Sequence, residues 1–465
     1  MIKIQHIKDA IFNWGKLSPL KKRKYAGFTI GGIIIICLLI LISFPDPLIN
    51  SLFKDKITNT IRAAFPEYSI QISDLHYNIW KNRLKIDSII LNTSDSTILG
   101  TVKDFSLGGI NWLKILKVKA FDPNTLKELV MDAQKIELIF NKSQMELSIG
   151  NIHVAVADSE LVADSLKYHS LIDDEQFFAK SQFRQSRLFI DVPKIRITGL
   201  DYLPMLEGKS YKAASINIGD AFVDILSNLD KAHDINSPNP QMPNEFFSSL
   251  TEIIRIDSVK ITNGLLKYAE RPAVGTQPGV ITINKINVSV KSIANHTEQP
   301  VTTIINGEAL LMNTDTLKLL MAVPLTSKEF SLQCSGSIGK MDANLFNTFI
   351  EPVEQKRIKS GNLHSAAFDI NVKSGSATGT VAIVYNDLSI VMINSNTGSE
   401  NGIFNKVASL FGKLFIIRSS NMPDGKGLIK TGEIKFVRKP VNTFFQFVWF
   451  ALRSGVADLV GFPPA

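Results

Sequence analysis

Cysteine is nearly absent from this 465-residue chain, which has only Cys37 and Cys334. Cys37 falls inside a long apolar run and Cys334 stands alone outside it, so no disulfide framework staples the fold. Histidine is also sparse. The seven residues (His6, His76, His153, His169, His233, His296 and His364) are scattered, with none four positions from another and none spaced from a cysteine as a zinc ligand would be. His76 and His153 occupy polar slots of predicted strands and read as solvated surface histidines. There is no nucleophile elbow, no phosphate-binding glycine loop and no pair of carboxylates placed for acid–base work. Asp173-Asp174-Glu175, the one acidic run, reads as a solvated loop. These absences argue against an enzyme, and no catalytic residue, metal or cofactor is expected. The net charge of +8 is also narrower than it looks: residues 1–26 carry seven Lys/Arg against Asp9 alone, which leaves about +2 for the rest. No basic nucleic-acid surface follows from it.

What the chain does have is apolar pattern, at 45% apolar residues. Residues 27–44, GFTIGGIIIICLLILISF, hold no charge over 18 positions. At about 1.5 Å per residue they span roughly 27 Å, close to the hydrocarbon thickness of a bilayer. The cationic segment 1–26 before them predicts a cytoplasmic N-terminus and an exported remainder. A cleavable signal peptide is the alternative. The run is long for one, and Ser43-Phe44-Pro45 lacks a small-x-small cleavage site, so 27–44 reads as an uncleaved, single-pass signal anchor.

Asp46-Pro47 then opens an amphipathic helix over 46–65, with Ile49, Phe53, Ile57, Ile61 and Phe65 on one face and Pro66 as its stop. From Tyr68 the period shifts from about four to two. Residues 84–91 (LKIDSIIL) and 254–261 (IRIDSVKI) are copies of one strand pattern; 190–195 (IDVPKI) and 149–154 (IGNIHV) are weaker ones. Their spacing varies, so a solenoid of fixed period is not expected. The recurring acids Asp87, Asp191 and Asp257 are expected to face water or end a ladder, and Pro193 marks an edge or a bulge. Residues 280–290 alternate cleanly as a half-buried strand, and further strands are expected at 214–218, 303–311, 317–323, 329–338 and 363–373. Residues 379–393 read as two strands joined at Asn386-Asp387. Helices are expected at 341–350 and 403–415, the latter from Phe404, Val407, Phe411 and Leu414.

The organisation that follows is a first β region at 66–226, a proline-bearing linker or loop at 227–253, a second β region at 254–439 and a C-terminal amphipathic helix within 440–465. So much one-sided apolar alternation has two outlets. A second sheet covers the face, or a long sheet keeps an apolar face that takes a ligand of matching character, such as acyl chains.

Residues 331–351 (SLQCSGSIGKMDANLFNTFIE), Lys359-Ser360-Gly361-Asn362-Leu363, the Tyr385-Asn386-Asp387-Leu388 segment and 429–439 (IKTGEIKFVRK) resemble the C-terminal region of AsmA-like proteins. The anchor, amphipathic helix and Ile-Asp strands are arranged as in that family, so the resemblance covers nearly the whole chain. It implies a mainly β fold: one transmembrane helix, then a long, curled, mostly antiparallel sheet forming a U-shaped groove, with a few capping helices. It also implies an inner-membrane-anchored, periplasmic protein of cell-envelope and outer-membrane biogenesis. Such a protein binds or conducts phospholipid or another acyl-chain lipid, with an envelope protein as a further partner and no nucleic acid. The groove candidates are Ile86, Ile256, Ile286, Val288, Val290, Val381 and Ile383. Phe53, Phe444, Phe445 and Trp449 are the candidates for a membrane interface. A non-conducting envelope scaffold, its sheet closed on itself, is the alternative.

Overall fold

A computed structural model describes residues 68–78, 81–93, 95–109, 127–206, 208–273, 276–393, 400–403, 407–408, 414–415 and 417–461. The expected anchor at 27–44 and the helix at 46–65, Phe53 included, lie outside the described residues. Among the described residues no helix is long and apolar enough to cross a membrane. The protein is mainly β, 56% strand against 14% helix, and its sheet is mostly antiparallel. The helices described are α1 (Asp174–Lys180), α2 (Tyr202–Leu206), α3 (Pro243–Ser249), α4 (Asn347–Glu354) and α5 (Phe444–Val460). Two compact units divide the chain. One is drawn from Met1–Asp173, Phe189–Gly219 and Glu252–Asp257, and the other from Asp174–Leu188, Asp220–Thr251 and Ser258–Ala465.

The first unit is an antiparallel meander. β1 (Tyr68–Ile72) and β2 (Leu75–Asn78) pair with the two halves of β3 (Arg83–Thr93), and β3 pairs with β4 (Ile98–Gly108). β4 takes both β5 (Val130–Ala133) and β6 (Lys135–Phe140). These pair in turn with β8 (Ile152–Ala155) and β7 (Met145–Ile149), which share β9 (Glu160–Ser170). β10 (Ser186–Thr198) and β11 (Ser210–Gly219) continue the order. Strands therefore begin at 68, 83 and 98, and again at 130, 145 and 160, at intervals of 15 residues. The regularity lies in strand and turn length, which the unevenly spaced motif copies conceal. Asn82, Ser96, Gln144 and Ser159 supply the positive φ in four of the turns.

A row of ladder breaks crosses this unit. The β1–β2 break at Ser73-Asp74, Asp87 opposite Asp104 (φ 48), Gln134, Gly150-Asn151, Ser165 (φ 54) and Pro193 all interrupt the ladder at mid-strand. Backbone bonds stitch the row together: Asp87 N–H to Asp74 O at 3.2 Å, Gln134 N–H to Lys103 O at 3.1 Å, and Gly150 N–H to Asp164 O at 2.8 Å. The pairing register is the same on either side of the row, so no strand gains a residue on its neighbour; the strands instead reverse together, at that point, the parity that faces the core. In β3, Leu84 and Ile86 are buried before Asp87, and Ile89 and Leu91 after it. The motif copies on β3, β7–β8 and β10 are thus strands carrying this break, and Pro193, with no N–H to give, sits where pairing skips. The recurring acids face outward: Asp191 pairs with Lys167 at 3.4 Å and Asp257 with Arg255 at 3.2 Å.

In the second unit β12 (Phe222–Asn228) runs parallel to β13 (Ile253–Arg271), with Phe222 opposite Leu265. Parallel neighbours cannot be joined by a hairpin, and the crossover they require is supplied within the proline-bearing 227–253 stretch. It carries α3, and it is built into the fold. Met242 is fully buried, the Asn244 amide donates to Ser327 O at 3.0 Å, and Arg438 donates to Pro240 O at 2.6 Å. Arg187 ties α1 to β12 through Asp174 at 2.9 Å and Asp224 at 3.3 Å.

The order continues as β14 (Gly279–Ala294), β15 (Thr303–Leu311), β16 (Asp315–Val323), β17 (Ser331–Ile338), β18 (Met341–Asp342), β19 (Lys356–Lys373), β20 (Ser376–Ile393), β21 (Glu400–Ile403), β22 (Val407–Ala408), β23 (Leu414–Phe415) and β24 (Thr431–Val437). The four strands expected between 303 and 373 coincide with β15, β16, β17 and β19. Three expectations are corrected. Residues 379–393 belong to one continuous strand, because Asp387 alone has positive φ (56°) and a tight type I′ turn needs two such residues; Asp387 makes a bulge instead. The helix expected over 341–350 is a β bridge, a 3-10 turn at Ala343–Phe346 and then α4, which accommodates Pro352 and closes with Gln355 at φ 54. In place of a helix over 403–415, β22 pairs antiparallel with β23; Phe404 and Phe411 lie outside the described residues.

Candidate functional site

Register assembles the site. In an antiparallel ladder directly opposed residues share a face. One rung runs Val290–Ile305–Met321–Cys334–Ile370–Gly379–Ile434 across β14, β15, β16, β17, β19, β20 and β24. The next runs Val288–Gly307–Leu319–Gly336–Phe368–Val381–Gly432 over the same strands. A third joins Ala309, Leu317, Ile338, Ala366 and Ile383, with Ile286 beside Ala309 at the bulge between Asn284 and Asn287. Five of the seven candidates, Ile286, Val288, Val290, Val381 and Ile383, therefore lie on one apolar face. Ile86 and Ile256 belong to the first unit, where Ile86 is 1% exposed and Ile256 half-buried.

The face is unevenly covered. Toward β24 it lies under α5 and the crossover. Met242, Leu332, Cys334, Ile370, Val372, Val381, Ile434, Phe447 and Ala451 form one buried cluster, with Phe247 and Val448 against it. Toward β14 the same rungs are half-exposed: Ile286, Val288, Val290, Ile305, Leu317, Leu319 and Ile338 all keep solvent contact. The glycines matter here. Phe368 lies across Gly336, where a Cβ would come within 2.5 Å of its ring, so the face carries a hollow filled by an aromatic.

The opposite face is largely polar, with Asn306, Glu308, Lys318, Gln333, Asp369, Thr378 and Thr380 exposed, and it carries Ile304 and Leu320 as exposed apolar side chains. On the apolar rungs the one titratable group is the Cys334 thiol. Burial, with the nearby Asp369 charge second, pushes it up to about 12, so it stays protonated at neutral pH. Among the described residues no group of three His, Cys, Asp or Glu could hold a metal ion. What the face offers is contact area for hydrocarbon.

Sequence alternation found β14 and its neighbouring strands but not how they align. Ile305, Leu319 and Phe368 sit on predicted strands, and only register shows which of their sides joins Val288. At the C-terminus, Phe445 and Trp449 are exposed, whereas Phe444 is half-buried, its ring 6.0 Å from Phe330. No family model matches the chain, and no curated protein matches it either.

Proposed function

We propose that the half-open apolar face of the second unit binds the acyl chains of phospholipid, or of another acyl-chain lipid, in a membrane-anchored periplasmic protein of the AsmA-like kind. The supporting observation is the set of three rungs that carries Ile286, Val288 and Val290 across to Val381 and Ile383 without a charged side chain. Apolar area left to water is unfavourable by about 25 cal/mol per Å², and hydrocarbon relieves it. No covalent step and no cofactor enter this reading; headgroups stay at the open edge. The test is lipid mass spectrometry on the purified full chain. Bound phospholipid is expected, and Val288→Asp with Leu319→Asp is expected to deplete it. A chain that purifies free of lipid from membranes, with its fold intact, overturns the proposal.

The second reading, a non-conducting envelope scaffold, draws on the covered end of the same face, where α5 and Met242 already occupy the positions a chain would take. Under that reading the protein carries no lipid and a pull-down returns one stoichiometric protein partner.

A further inference from the structure

Four apolar side chains stand out from the surface at a spacing of four residues: Val437 (70% exposed), Val441 (55%), Phe445 (79%) and Trp449 (52%). Val437 ends β24, Val441 lies in the connection, and Phe445 and Trp449 sit one turn apart on α5. Arg453, exposed, follows one turn further along the same stripe. The helix is firmly placed. Thr443 caps it, accepting from the Gln446 N–H at 3.3 Å, and Phe447, Ala451 and Leu459 on its other side are buried. The ridge is therefore a fixed feature of the fold, with its aromatic side turned away from the core.

We infer that this ridge docks on a phospholipid bilayer surface. Three observations select a bilayer over a protein. The first is area: the exposed parts of two aromatics and two valines come to roughly 500 Å², below the ~800 Å² a stable protein–protein interface takes from each side. The second is shape, since the residues project from a helix and a strand end. A deformable interface receives such a ridge, with Trp and Phe at the depth where amphipathic rings settle. The third is charge. From 434 to 453 the chain carries Lys435, Arg438, Lys439 and Arg453 and no acid. The acids that reach them come from outside the segment: Glu433 to Lys435 at 2.8 Å, Glu245 to Arg438 at 3.7 Å and Glu354 to Arg453 at 3.7 Å. With those three acids counted, the four cations leave a net charge of +1, a small excess that a second copy would repeat and anionic headgroups complement.

The inference stands apart from the acyl-chain face, and its test reads different residues. Hydroxyl-radical footprinting is applied to the full chain in detergent, in phospholipid nanodiscs, and in nanodiscs with added phosphatidylcholine–phosphatidylglycerol vesicles. Oxidation of Phe445 and Trp449 is expected to fall at least about fivefold in one of the two lipid conditions, while the exposed Met422 and Leu428 serve as internal references. Phe445→Ser, at a mostly exposed side chain whose ring contact is with Phe444 at 5.2 Å, is expected to return Trp449 to its detergent level of oxidation. Equal oxidation of Phe445 and Trp449 in detergent and both lipid conditions overturns the inference. So does protection that grows with protein concentration in detergent, which marks a second copy as the occupant.

Discussion

Gly432 and Gly455 let α5 press directly on β24, and substituting them tests how that helix is held. A Cβ at Gly432 would stand 1.9 Å from the Gly455 carbonyl oxygen and 2.9 Å from Leu459 Cβ. The obstacle is backbone, so α5 would have to withdraw by more than an ångström. Withdrawal breaks two bonds that seal the strand edge, Glu433 N–H to Asp458 Oδ2 at 2.8 Å and Lys435 N–H to Ser454 Oγ at 3.2 Å. At about 1–2 kcal/mol each, with loosened packing of Phe447, Ala451 and Leu459 added, Gly432→Ala is expected to destabilise the unit by about 3–5 kcal/mol. The gain from replacing glycine in a strand returns at most about 1 kcal/mol. Gly455→Ala differs: its Cβ would meet Ile434 Cγ1 and Val381 Cγ2 at 2.7 Å, side-chain atoms with some room to give. Overpacking of about 1–3 kcal/mol is there offset by about 1 kcal/mol of helix propensity. Gly432→Ala should therefore be clearly the worse of the two in denaturant melts. Amide exchange at Glu433 and Lys435 should accelerate in it. Wild-type stability in Gly432→Ala, with both amides still protected, would refute the packing argument.

Met242→Ala removes a fully buried side chain from the crossover and is expected to destabilise the second unit by about 2–5 kcal/mol in chemical denaturation, where a mere linker would show none. Cys334 should react with a maleimide at pH 8 only as fast as the unit opens, since burial holds its thiol protonated. The folded value lies above the unfolded one, near 8.5. The stability linked to this group is thus whole below about pH 8.5 and declines as pH rises toward 12; Cys334→Ala should flatten that part of the profile. The N–H groups of Leu428 and Lys426 hold the Asp424 carboxyl below its ordinary value. The order it gives the 424–428 turn is present above the ordinary carboxyl value of 3.8 and lost as pH falls through the lowered one, and Asp424→Asn should speed amide exchange at Lys426 and Leu428.

Much of the architecture was legible because the chain writes it twice, as alternation and as turn chemistry. β14 to β17 and β19 were placed by their periods, and the C-terminal helix expected within 440–465 is α5. The first unit was harder for a physical reason. Each mid-strand break reverses the buried parity, so Leu84 and Ile86 are followed by Ile89 and Leu91, and a period-two reading through Asp87 averages to no preference. Asn386-Asp387 looked like a hairpin turn because its residue types suit one, whereas β20 runs on through it with an extra residue opposite Gly361. The crossover was missed because proline density reads as linker, whereas pairing direction, which forces β12 and β13 to be joined by a long excursion, is not written in either strand. Of the apolar face, the sequence offered single strands such as Ile286–Val290; their union with Val381 and Ile383 exists only in the register.

The two ends of the apolar face differ in what can follow them. At β24 the outward N–H groups of Glu433 and Lys435 are already taken by Asp458 and Ser454, so no further strand can add to that stretch of edge. The same helix fills the adjoining rungs with Phe447 and Ala451. Contact beyond β24 must then be made by the outer side of α5, where Phe445 and Trp449 stand exposed. At β14, in contrast, Val288 and Val290 remain half-covered on rungs that run unbroken from β24, and Ile286 is half-covered beside them. A ligand on this face would therefore enter from the β14 side and stop where Met242 and Phe447 close the cluster. Substitutions that deplete lipid should accordingly map to β14–β16, while substitutions at Phe445 and Val441 should leave bound lipid unchanged and alter only attachment to a membrane surface.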